Sequence, residues 1–359
     1  MRILVTGGCG FIGSTFILQQ LSLGRTVLNL DVLSYAGNPE NLYSAACSPN
    51  YYFAHGDIGD RVLVSGLLQE FCPDAVVNFA AETHVDRSIV DPTPFFKTNA
   101  YGTASLLIET LNWWKNLSKA QRESFRFLHI STDEVFGSLS GDEAAFSEES
   151  PYRPRSPYSA SKASADFYVR SFHETYGLPT LITNCSNNYG PRQYPEKFIP
   201  LLIINALQGK RLPIYGNGAN IRDWLYVEDH CQAIDTVLTR SRPGETYNIG
   251  GNCEKSNLDI AYAVTGMLDE IKPRADGKSY SDQIAFVKDR PGHDFRYAIN
   301  AEKIRRDFGW KPTHSLASGL HDTISWYLAN DGWLETIQSR SYKDWYELNY
   351  AEPRFEDEK

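Results

Sequence analysis

The chain of 359 residues is long enough for two or three domains with a stable apolar core. Its content of 42% hydrophobic and 22% charged residues excludes a mainly disordered, fibrous or low-complexity protein. With 44 acidic against 35 basic side chains, the net charge of -9 disfavours nucleic acid as a partner, although a few arginines or a helix N-terminus can still bind a small diphosphate.

The first half of the chain alternates short apolar runs with longer segments of helical period, which predicts a parallel sheet covered by helices on both faces. The predicted strands are residues 3–6, 26–30, 51–54, 75–79, 125–130 and 180–183. The predicted helices are residues 11–23, 61–71, 98–114 and 157–176. This pattern indicates the α/β class, with a Rossmann-type doubly wound parallel sheet.

After residue 187 the pattern loosens, and Gly and Pro separate shorter pieces. The predicted helices here are residues 199–207, 227–239, 257–270, 301–308 and 316–326, and the predicted strands are residues 246–249 and 284–287. We therefore assign residues 1–190 to the Rossmann domain, with residues 222–250 returning to it. Residues 191–350 form a smaller mixed α/β C-terminal lobe, and the charged residues 351–359 are expected to be disordered.

No apolar stretch approaches the roughly 20 residues that a membrane-spanning helix requires, so no membrane partner is expected. The chain starts at Met1 with a strand-like segment and without the zones of a secretory signal, which favours a cytoplasmic location. The six cysteines are dispersed and form no C-x-x-C pair. We therefore expect neither a disulfide framework nor a metal site.

Glycines at positions 7, 10 and 13 separate the first strand from the first helix. At such a turn the backbone can approach a pyrophosphate. Asp31 ends the second strand 18 residues after Gly13, where a carboxylate can accept hydrogen bonds from both ribose hydroxyls and repel a 2′-phosphate. The arrangement predicts an NAD site. Asp57, after the third strand, either lies beside the adenine or only caps a turn.

Tyr158 and Lys162 share one face of a helix that begins with Ser156 and Pro157. A lysine ammonium one turn away stabilises a tyrosine phenolate and brings the pKa of the phenol closer to neutrality. Together with the glycine turn, this pair is typical of hydride transfer between an alcohol carbon and nicotinamide, with Tyr158 as acid and base.

Three polar side chains, Thr132, Asp133 and Glu134, follow the strand at residues 125–130. Ligands bind beyond the carboxyl ends of the strands in open α/β sheets. Oxidation of an alcohol needs a hydroxyl donor here but not two adjacent carboxyl groups. Two carboxyl groups in different environments favour an acid and a base that act in one step, as in an elimination of water. The alternative is a solvated loop.

Together these motifs, Gly7-x-x-Gly10-x-x-Gly13, Tyr158-x-x-x-Lys162 and the 132–134 triplet, resemble the dTDP-glucose 4,6-dehydratases of the extended short-chain dehydrogenase/reductase superfamily. Further matching strings are residues 80–88, 184–191, 221–230 and 289–294. The resemblance extends from residue 1 to about Tyr350. Cys9 stands where the family often has alanine, and Thr83 where it often has serine.

The resemblance implies a redox-neutral dehydration of dTDP-glucose to dTDP-4-keto-6-deoxy-glucose in deoxysugar biosynthesis, such as that of rhamnose. Tyr158, supported by Lys162, would take the proton of the carbon-4 hydroxyl while hydride passes to NAD, and Thr132 would bind the carbon-4 oxygen. Glu134 would remove the proton on carbon 5 while Asp133 protonates the leaving carbon-6 hydroxyl. Hydride would then return to carbon 6.

The resemblance also implies binding residues. Those for NAD are Gly7, Gly10, Phe11, Ile12, Gly13, Asp31, Val32, Leu33, Ser34, Asp57, Ile58, Phe79, Ala80, Ala81, Thr83, Thr98, Tyr158, Lys162 and Asn188. Those for the sugar nucleotide are Thr83, Thr132, Asn187, Lys197, Phe198, Pro213, Ile214, Tyr215, Arg222, Asn257, Arg290, His293 and Tyr350. Arg222 and Arg290, expected in loops, could bracket the diphosphate; singly, each is more typical of a surface salt bridge.

Two other functions share part of these motifs. A nucleotide-sugar 4-epimerase or decarboxylase would need the glycines, Tyr158 and Lys162, but would have no use for the Asp133–Glu134 pair. An NAD-binding protein without catalytic activity would be expected to lack one of these groups, and all are present. The choice of thymidine as the base rests on the resemblance alone, as does a homodimer formed through the helices at 98–114 and 157–176.

Overall fold

The computed structural model describes residues 1–289 and 292–337, so Arg290, Tyr350 and the tail at 351–359 lie outside the described residues. The strands of the described residues are β1 Arg2–Thr6, β2 Thr26–Asp31, β3 Tyr51–His55, β4 Ala75–Asn78, β5 Arg126–Thr132, β6 Thr180–Cys185, β7 Asn187–Tyr189, β8 Leu212–Tyr215, β9 Ile221–Tyr226, β10 Thr246–Ile249, β11 Glu254–Ser256 and β12 Ile284–Val287.

The helices that cover these strands are α1 Phe11–Ser22, α2 Arg61–Phe71, α3 Val85–Val90, α4 Thr93–Phe95, α5 Thr103–Trp114, α6 Lys119–Ser124, α7 Pro157–Tyr176, α8 Phe198–Leu207, α9 Val227–Arg240, α10 Asn257–Ile271, α11 Glu302–Phe308, α12 Leu316–Ala329 and α13 Asp331–Ile337. Short 3₁₀-helices lie at Pro39–Ala45, Asp133–Phe136 and Tyr280–Gln283. No helix in the described ranges combines the length and the apolar character needed to span a bilayer.

Seven parallel strands form the main sheet in the order β3-β2-β1-β4-β5-β6-β10. Every residue of β4 and β6 is buried, as expected for parallel strands covered on both faces. The apolar residues Phe16 of α1 and Ile234 of α9 pack on one face of the sheet. Leu68 of α2, Leu106 of α5 and Val169 of α7 pack on the other. The predicted fold class is therefore confirmed.

The helix predicted at residues 98–114 is wrong in its first turns. A π-helix occupies Phe96–Gly102, between α4 and α5. The buried side chain of Asn99 accepts from the amide of Glu82 and donates to its carbonyl, and also donates to Ser161 Oγ. Such π-segments occur mostly at functional sites. Here it brings Thr98 to the edge of a cavity described below.

The second lobe is built on two small sheets, β11-β9-β7 and β12-β8. Its core is formed by apolar residues of α8, α10 and α12, including Leu202, Val264 and Ile324. The sequence analysis placed Arg222 in a loop, but it lies within β9, opposite Lys255 of β11. Two adjacent charged residues, Arg222 and Asp223, obscure a strand that is almost completely buried.

Candidate active site

The turn between β1 and α1 brings the backbone of the first strand against the segment that follows β4. Gly7 has a φ of 69°, and a Cβ atom built on it would lie 2.7 Å from the backbone of Ala80. Gly10 precedes α1, whose first turn receives no side-chain cap and contains no acidic residue. The positive end of the α1 dipole is therefore available to a diphosphate, and a side chain at Gly7 would obstruct the turn.

Asp31 lies at the carboxyl end of β2 with 5% of its surface exposed. Its two carboxylate oxygens accept hydrogen bonds of 2.8 Å from the backbone amides of Cys9 and Leu33. Burial raises the pKa of Asp31, and these two hydrogen bonds lower it. Each oxygen retains a lone pair, which fits the two hydroxyl groups of a ribose. The hydrogen-bond acceptors at this end of the site thus fit the ribose of NAD.

A cavity of about 300 Å³ extends from Asp31 along the carboxyl ends of the strands. Every residue predicted to bind NAD lines this cavity, except Leu33. Leu33 instead contributes its amide to Asp31. Asp57 caps a turn, because its Oδ1 accepts a hydrogen bond from the amide of Gly59, and it also lines the cavity.

The polar triplet lies at the far end of the same cavity, where β5 passes into a 3₁₀-helix. Thr132 Oγ1 accepts a hydrogen bond from the amide of Glu134 and donates to Asp133 Oδ1, both at 3.3 Å. Asp133 is 2% exposed, and its Oδ2 has no hydrogen-bond partner among the described residues. Burial, assisted by Glu134 and Asp223, raises the pKa of Asp133 well above its ordinary value. Asp133 is therefore suited to be a proton donor at neutral pH.

Tyr158 and Lys162 begin α7, which starts with a capping box at Ser156, and both line the cavity beside the triplet. We expected Lys162 to lower the pKa of Tyr158, but burial and the charge of Glu134 raise it well above its ordinary value. Lys162 donates a hydrogen bond of 2.7 Å to the carbonyl of Ile130. The protein's side chains alone thus keep Tyr158 protonated.

A second cavity of about 270 Å³ is lined by residues of both lobes. Glu134 and Asn187 line both cavities, so the two cavities meet beside the carboxylate of Glu134. Arg222 lines the second cavity and is held by hydrogen bonds to the carbonyls of Asp294 and Phe295. A molecule in the second cavity can therefore reach the carboxylate of Glu134.

Comparison with known proteins agrees with this geometry. The family model described as GDP-mannose 4,6 dehydratase matches residues 4–323. The dTDP-glucose 4,6-dehydratase of Xanthomonas campestris pv. campestris (strain B100) is 54% identical over 340 residues, which are 95% of this chain and 97% of that protein. The chain belongs to the dTDP-glucose 4,6-dehydratase family. The resemblance seen in the sequence motifs is thereby confirmed.

Solved structures of dTDP-glucose 4,6-dehydratases have the same fold as this chain. The enzyme from Bacillus anthracis str. Ames, in complex with NAD, is 45% identical, with a TM-score of 0.83 over 94% of this chain and 100% of that chain. A double mutant of the enzyme from Streptomyces venezuelae, with NAD bound, is 43% identical, with a TM-score of 0.85 over the same shares of the two chains.

The residues that we predicted for the sugar nucleotide are spread more widely than one cavity. Thr83, Thr132, Asn187 and Lys197 line the first cavity, and Asn187, Arg222 and His293 line the second. Five others line neither, namely Phe198, Pro213, Ile214, Tyr215 and Asn257. Among these, Ile214 is completely buried in the core of the second lobe, and Tyr215 lies 6.1 Å from the ring of His293.

Sequence reasoning did not identify a contact between the lobes that lies at one side of the first cavity. Glu196, which precedes α8, lines the cavity and accepts a hydrogen bond of 2.7 Å from the hydroxyl of Tyr35. Arg87 of α3 forms an ion pair of 3.2 Å with Glu196 and lies 3.9 Å from the ring centre of Tyr35. Arg87 belongs to the matching string at residues 80–88, but no local pattern links it to Tyr35 and Glu196, which come from two other segments.

Proposed function

We propose that this protein dehydrates dTDP-glucose to dTDP-4-keto-6-deoxy-glucose with NAD as its cofactor. The activity and the cofactor predicted from the sequence agree with the names of the relatives and with the NAD in the solved structures. The observation that carries the proposal is the position of Glu134 where the two cavities meet, next to Asp133, whose pKa is raised by burial. An epimerisation at carbon 4 needs neither of these carboxyl groups.

The first step that we assign to the chain is removal of the proton from the carbon-4 hydroxyl by Tyr158. Thr132 lowers the pKa of Tyr158 and lines the same cavity, so it can orient the same oxygen. When bound, NAD supplies a hydride acceptor for carbon 4 and a hydride donor for carbon 6. Tyr158 must be a phenolate to take this proton, so the positive charges of Lys162 and of bound NAD would have to oppose the increase in its pKa that burial and Glu134 cause.

The second step is loss of water between carbons 5 and 6. Once carbon 4 is a ketone, the hydrogen on carbon 5 is acidic, and we assign its removal to the carboxylate of Glu134. The buried Asp133 gives a proton to the leaving hydroxyl of carbon 6. Glu134 then returns its proton to carbon 5. Over the cycle, the proton that Tyr158 takes from the carbon-4 hydroxyl balances the one that leaves with water.

We assign the nucleotide-sugar diphosphate to the second cavity, beside Arg222 and His293. The guanidinium of Arg222 is held by backbone carbonyls and stacks 4.4 Å from the ring centre of Tyr297, so its position is set before the substrate binds. This assignment makes residues 191–350 the substrate-binding lobe. Residues 1–190, with residues 222–250 returning to them, are then the NAD-binding domain, apart from β7 and β9, which pair in a small sheet of the second lobe.

A mass measurement of the product tests the proposed reaction. The purified protein, given dTDP-glucose without a reductant, is expected to yield a product lighter by one water, with no net formation of NADH. A product of unchanged mass would indicate an epimerase, and NADH in the amount of the substrate would indicate a simple dehydrogenase. Parallel assays with UDP-glucose and CDP-glucose test the preference for thymidine.

We also propose that two copies of the chain associate through the helices α5 and α7, which pack side by side. Phe96, Tyr101, Phe167 and Tyr168, near or on these helices, each expose 49 to 65% of their surface. Exposed aromatic side chains grouped in this way favour association of two copies over exposure to solvent. Light scattering is expected to give twice the chain mass of 40.5 kDa, and Phe167→Glu is expected to reduce it.

The cellular location that we propose is the cytoplasm. All six cysteines are free thiols, and three of them, Cys9, Cys185 and Cys231, are buried. Dispersed reduced thiols are typical of proteins that stay in a reducing compartment. Cell fractionation with the untagged protein tests this assignment, and recovery outside the cytoplasmic fraction would contradict it.

A further inference from the structure

A buried polar network lies between α7 and the sheet, beneath Lys162. Asp166, one helical turn after Lys162, has no exposed surface. Its Oδ2 accepts hydrogen bonds from the hydroxyls of Ser131, at 2.8 Å, and Tyr152, at 2.9 Å. Its Oδ1 accepts none from the described residues and lies 3.5 Å from Nε2 of His129. One oxygen of Asp166 is thus anchored, while the other faces the histidine next to Lys162.

Lys162 is 3% exposed, so its ammonium needs a compensating charge. Its Nζ donates to the carbonyl of Ile130 and lies 3.3 Å from Nε2 of His129. Burial and the charge of Lys162 lower the pKa of His129 well below its ordinary value, so the imidazole is neutral. Burial raises the pKa of the Cys185 thiol to about 12, so it carries no charge at neutral pH either.

Several groups around Asp166 act against the effect of its burial. Burial raises its pKa, but the charges of Lys162 and Arg170 and the two hydroxyl donors lower it. Arg170, one turn further along α7, donates a hydrogen bond of 3.0 Å to the hydroxyl of Tyr152. The amide of Asn184 on β6 lies 3.5 Å from Oδ2. Among the charged groups that raise the pKa of Lys162, the carboxyl group of Asp166 has the largest effect.

We propose that Asp166 is a positioning residue for hydride transfer, whose buried carboxylate keeps the Lys162 ammonium charged one helical turn from Tyr158. The neutral ring of His129 separates the two charges and prevents them from forming a direct ion pair. Burial lowers the pKa of Lys162 from 10.5 to about 8, even though Asp166 acts in the opposite direction. Without that carboxylate, Lys162 would lose its proton at a neutral or lower pH, and Tyr158 would lose its supporting charge.

The test compares Asp166→Asn, which removes the charge at nearly constant volume, with Tyr152→Phe. The second variant removes one hydrogen bond to the same carboxylate and leaves its charge, and Tyr152 lines neither cavity. The first measurement is the titration of Lys162 by NMR in NAD-loaded protein labelled with carbon-13 lysine, with Lys162→Met used to assign the signal. We expect the midpoint to fall by at least about 1 pH unit in Asp166→Asn and to stay in place in Tyr152→Phe.

The second measurement is the pH dependence of dTDP-glucose turnover. The loss of kcat with rising pH is expected to begin at least about 1 pH unit lower in Asp166→Asn than in the parent protein. Asp166→Ser removes the charge with a smaller side chain and is expected to give the same displacement if Asp166→Asn does not fold. An unchanged Lys162 midpoint in a folded charge-removing variant would overturn the proposal, as would an equal displacement in Tyr152→Phe.

The catalytic meaning of this inference rests on the proposed function, but the lysine titration does not. One outcome is that neither the parent protein nor any variant dehydrates dTDP-glucose, but the Lys162 midpoint still moves. The proposed function then fails, and the role of Asp166 as the counter-charge of Lys162 stands. If the parent protein is active and the midpoint does not move, the proposed function stands and this inference fails.

Discussion

The hydroxyl of Tyr35 donates a hydrogen bond of 2.7 Å to Oε1 of Glu196, across 161 positions of the chain. It links the loop after β2, in the Rossmann domain, to the segment before α8, in the second lobe. Arg87 adds an ion pair to the same carboxylate. These contacts join three segments around the cavity that we assign to NAD.

We predict that Tyr35→Phe releases NAD faster than the parent protein, because the loss of this hydrogen bond loosens the contact between the lobes. A net hydrogen bond of about 1 kcal/mol corresponds to an increase of roughly fivefold in the rate. The measurement is the NAD that remains with the protein over time during dialysis. Tyr43→Phe is the control, because that side chain is 83% exposed on the neighbouring 3₁₀-helix. Equal retention in both variants would contradict the prediction.

Replacement of the proposed base is expected to stop the reaction after the first oxidation. In Glu134→Gln the amide cannot take the proton from carbon 5, so turnover should fall by roughly 10²- to 10⁴-fold. In heavy water, deuterium should no longer enter carbon 5, while transient formation of reduced nicotinamide should remain. Glu123→Gln, with an exposed side chain on α6, should behave as the parent protein. Continued exchange in Glu134→Gln would exclude Glu134 as the base.

Gly→Ala substitutions at Gly13, in the glycine turn, and at Gly66, inside α2, are expected to have opposite effects on stability. A Cβ atom at Gly13 would lie 2.4 Å from the carbonyl oxygen of Gly7, so Gly13→Ala should lower the free energy of unfolding by about 2 kcal/mol and weaken NAD binding. Gly66, inside α2, has open space around it, and Gly66→Ala should raise that free energy by about 0.5 to 1 kcal/mol. Urea unfolding and NAD titration measure both effects. A stable Gly13→Ala protein with normal NAD binding would refute this account of the turn.

His230 makes the folded protein sensitive to acid. Burial lowers its pKa from 6.5 to about 3, so between these values the unfolded chain binds a proton that the folded protein does not, and stability falls as the pH falls. His230→Gln cannot take up that proton. Between pH 7 and pH 5.5, the free energy of unfolding of this variant should therefore fall by about 1 kcal/mol less than that of the parent protein.

The measurement for this prediction is the free energy of unfolding at several pH values. His321→Gln is the control, because its ring is 60% exposed. The buried His129 contributes in the same direction in every variant, so some sensitivity to acid should remain. An identical pH dependence in His230→Gln and the parent protein would show that His230 does not contribute.

The sequence analysis succeeded where one segment contains the whole signal. The glycine spacing before α1, the apolar runs of the parallel strands and the triplet after β5 are all local patterns, and the structure brings them to one edge of the sheet. The sequence analysis failed where a residue from a distant part of the chain determines the local structure. The π-helix at Phe96–Gly102 is held by Asn99, whose partners Glu82 and Ser161 are 17 and 62 positions away.

The sequence by itself determined the fold class and the family and predicted the catalytic groups, because these follow from periodicity and from motifs within a few residues of each other. Only the tertiary structure decided the electrostatics. Burial raises the pKa of both Asp133 and Tyr158, although the spacing of Tyr158 and Lys162 led us to expect the opposite for the tyrosine. The position of Asp166 beneath Lys162 was equally invisible, because desolvation depends on what packs around a group and not on its neighbours in the chain.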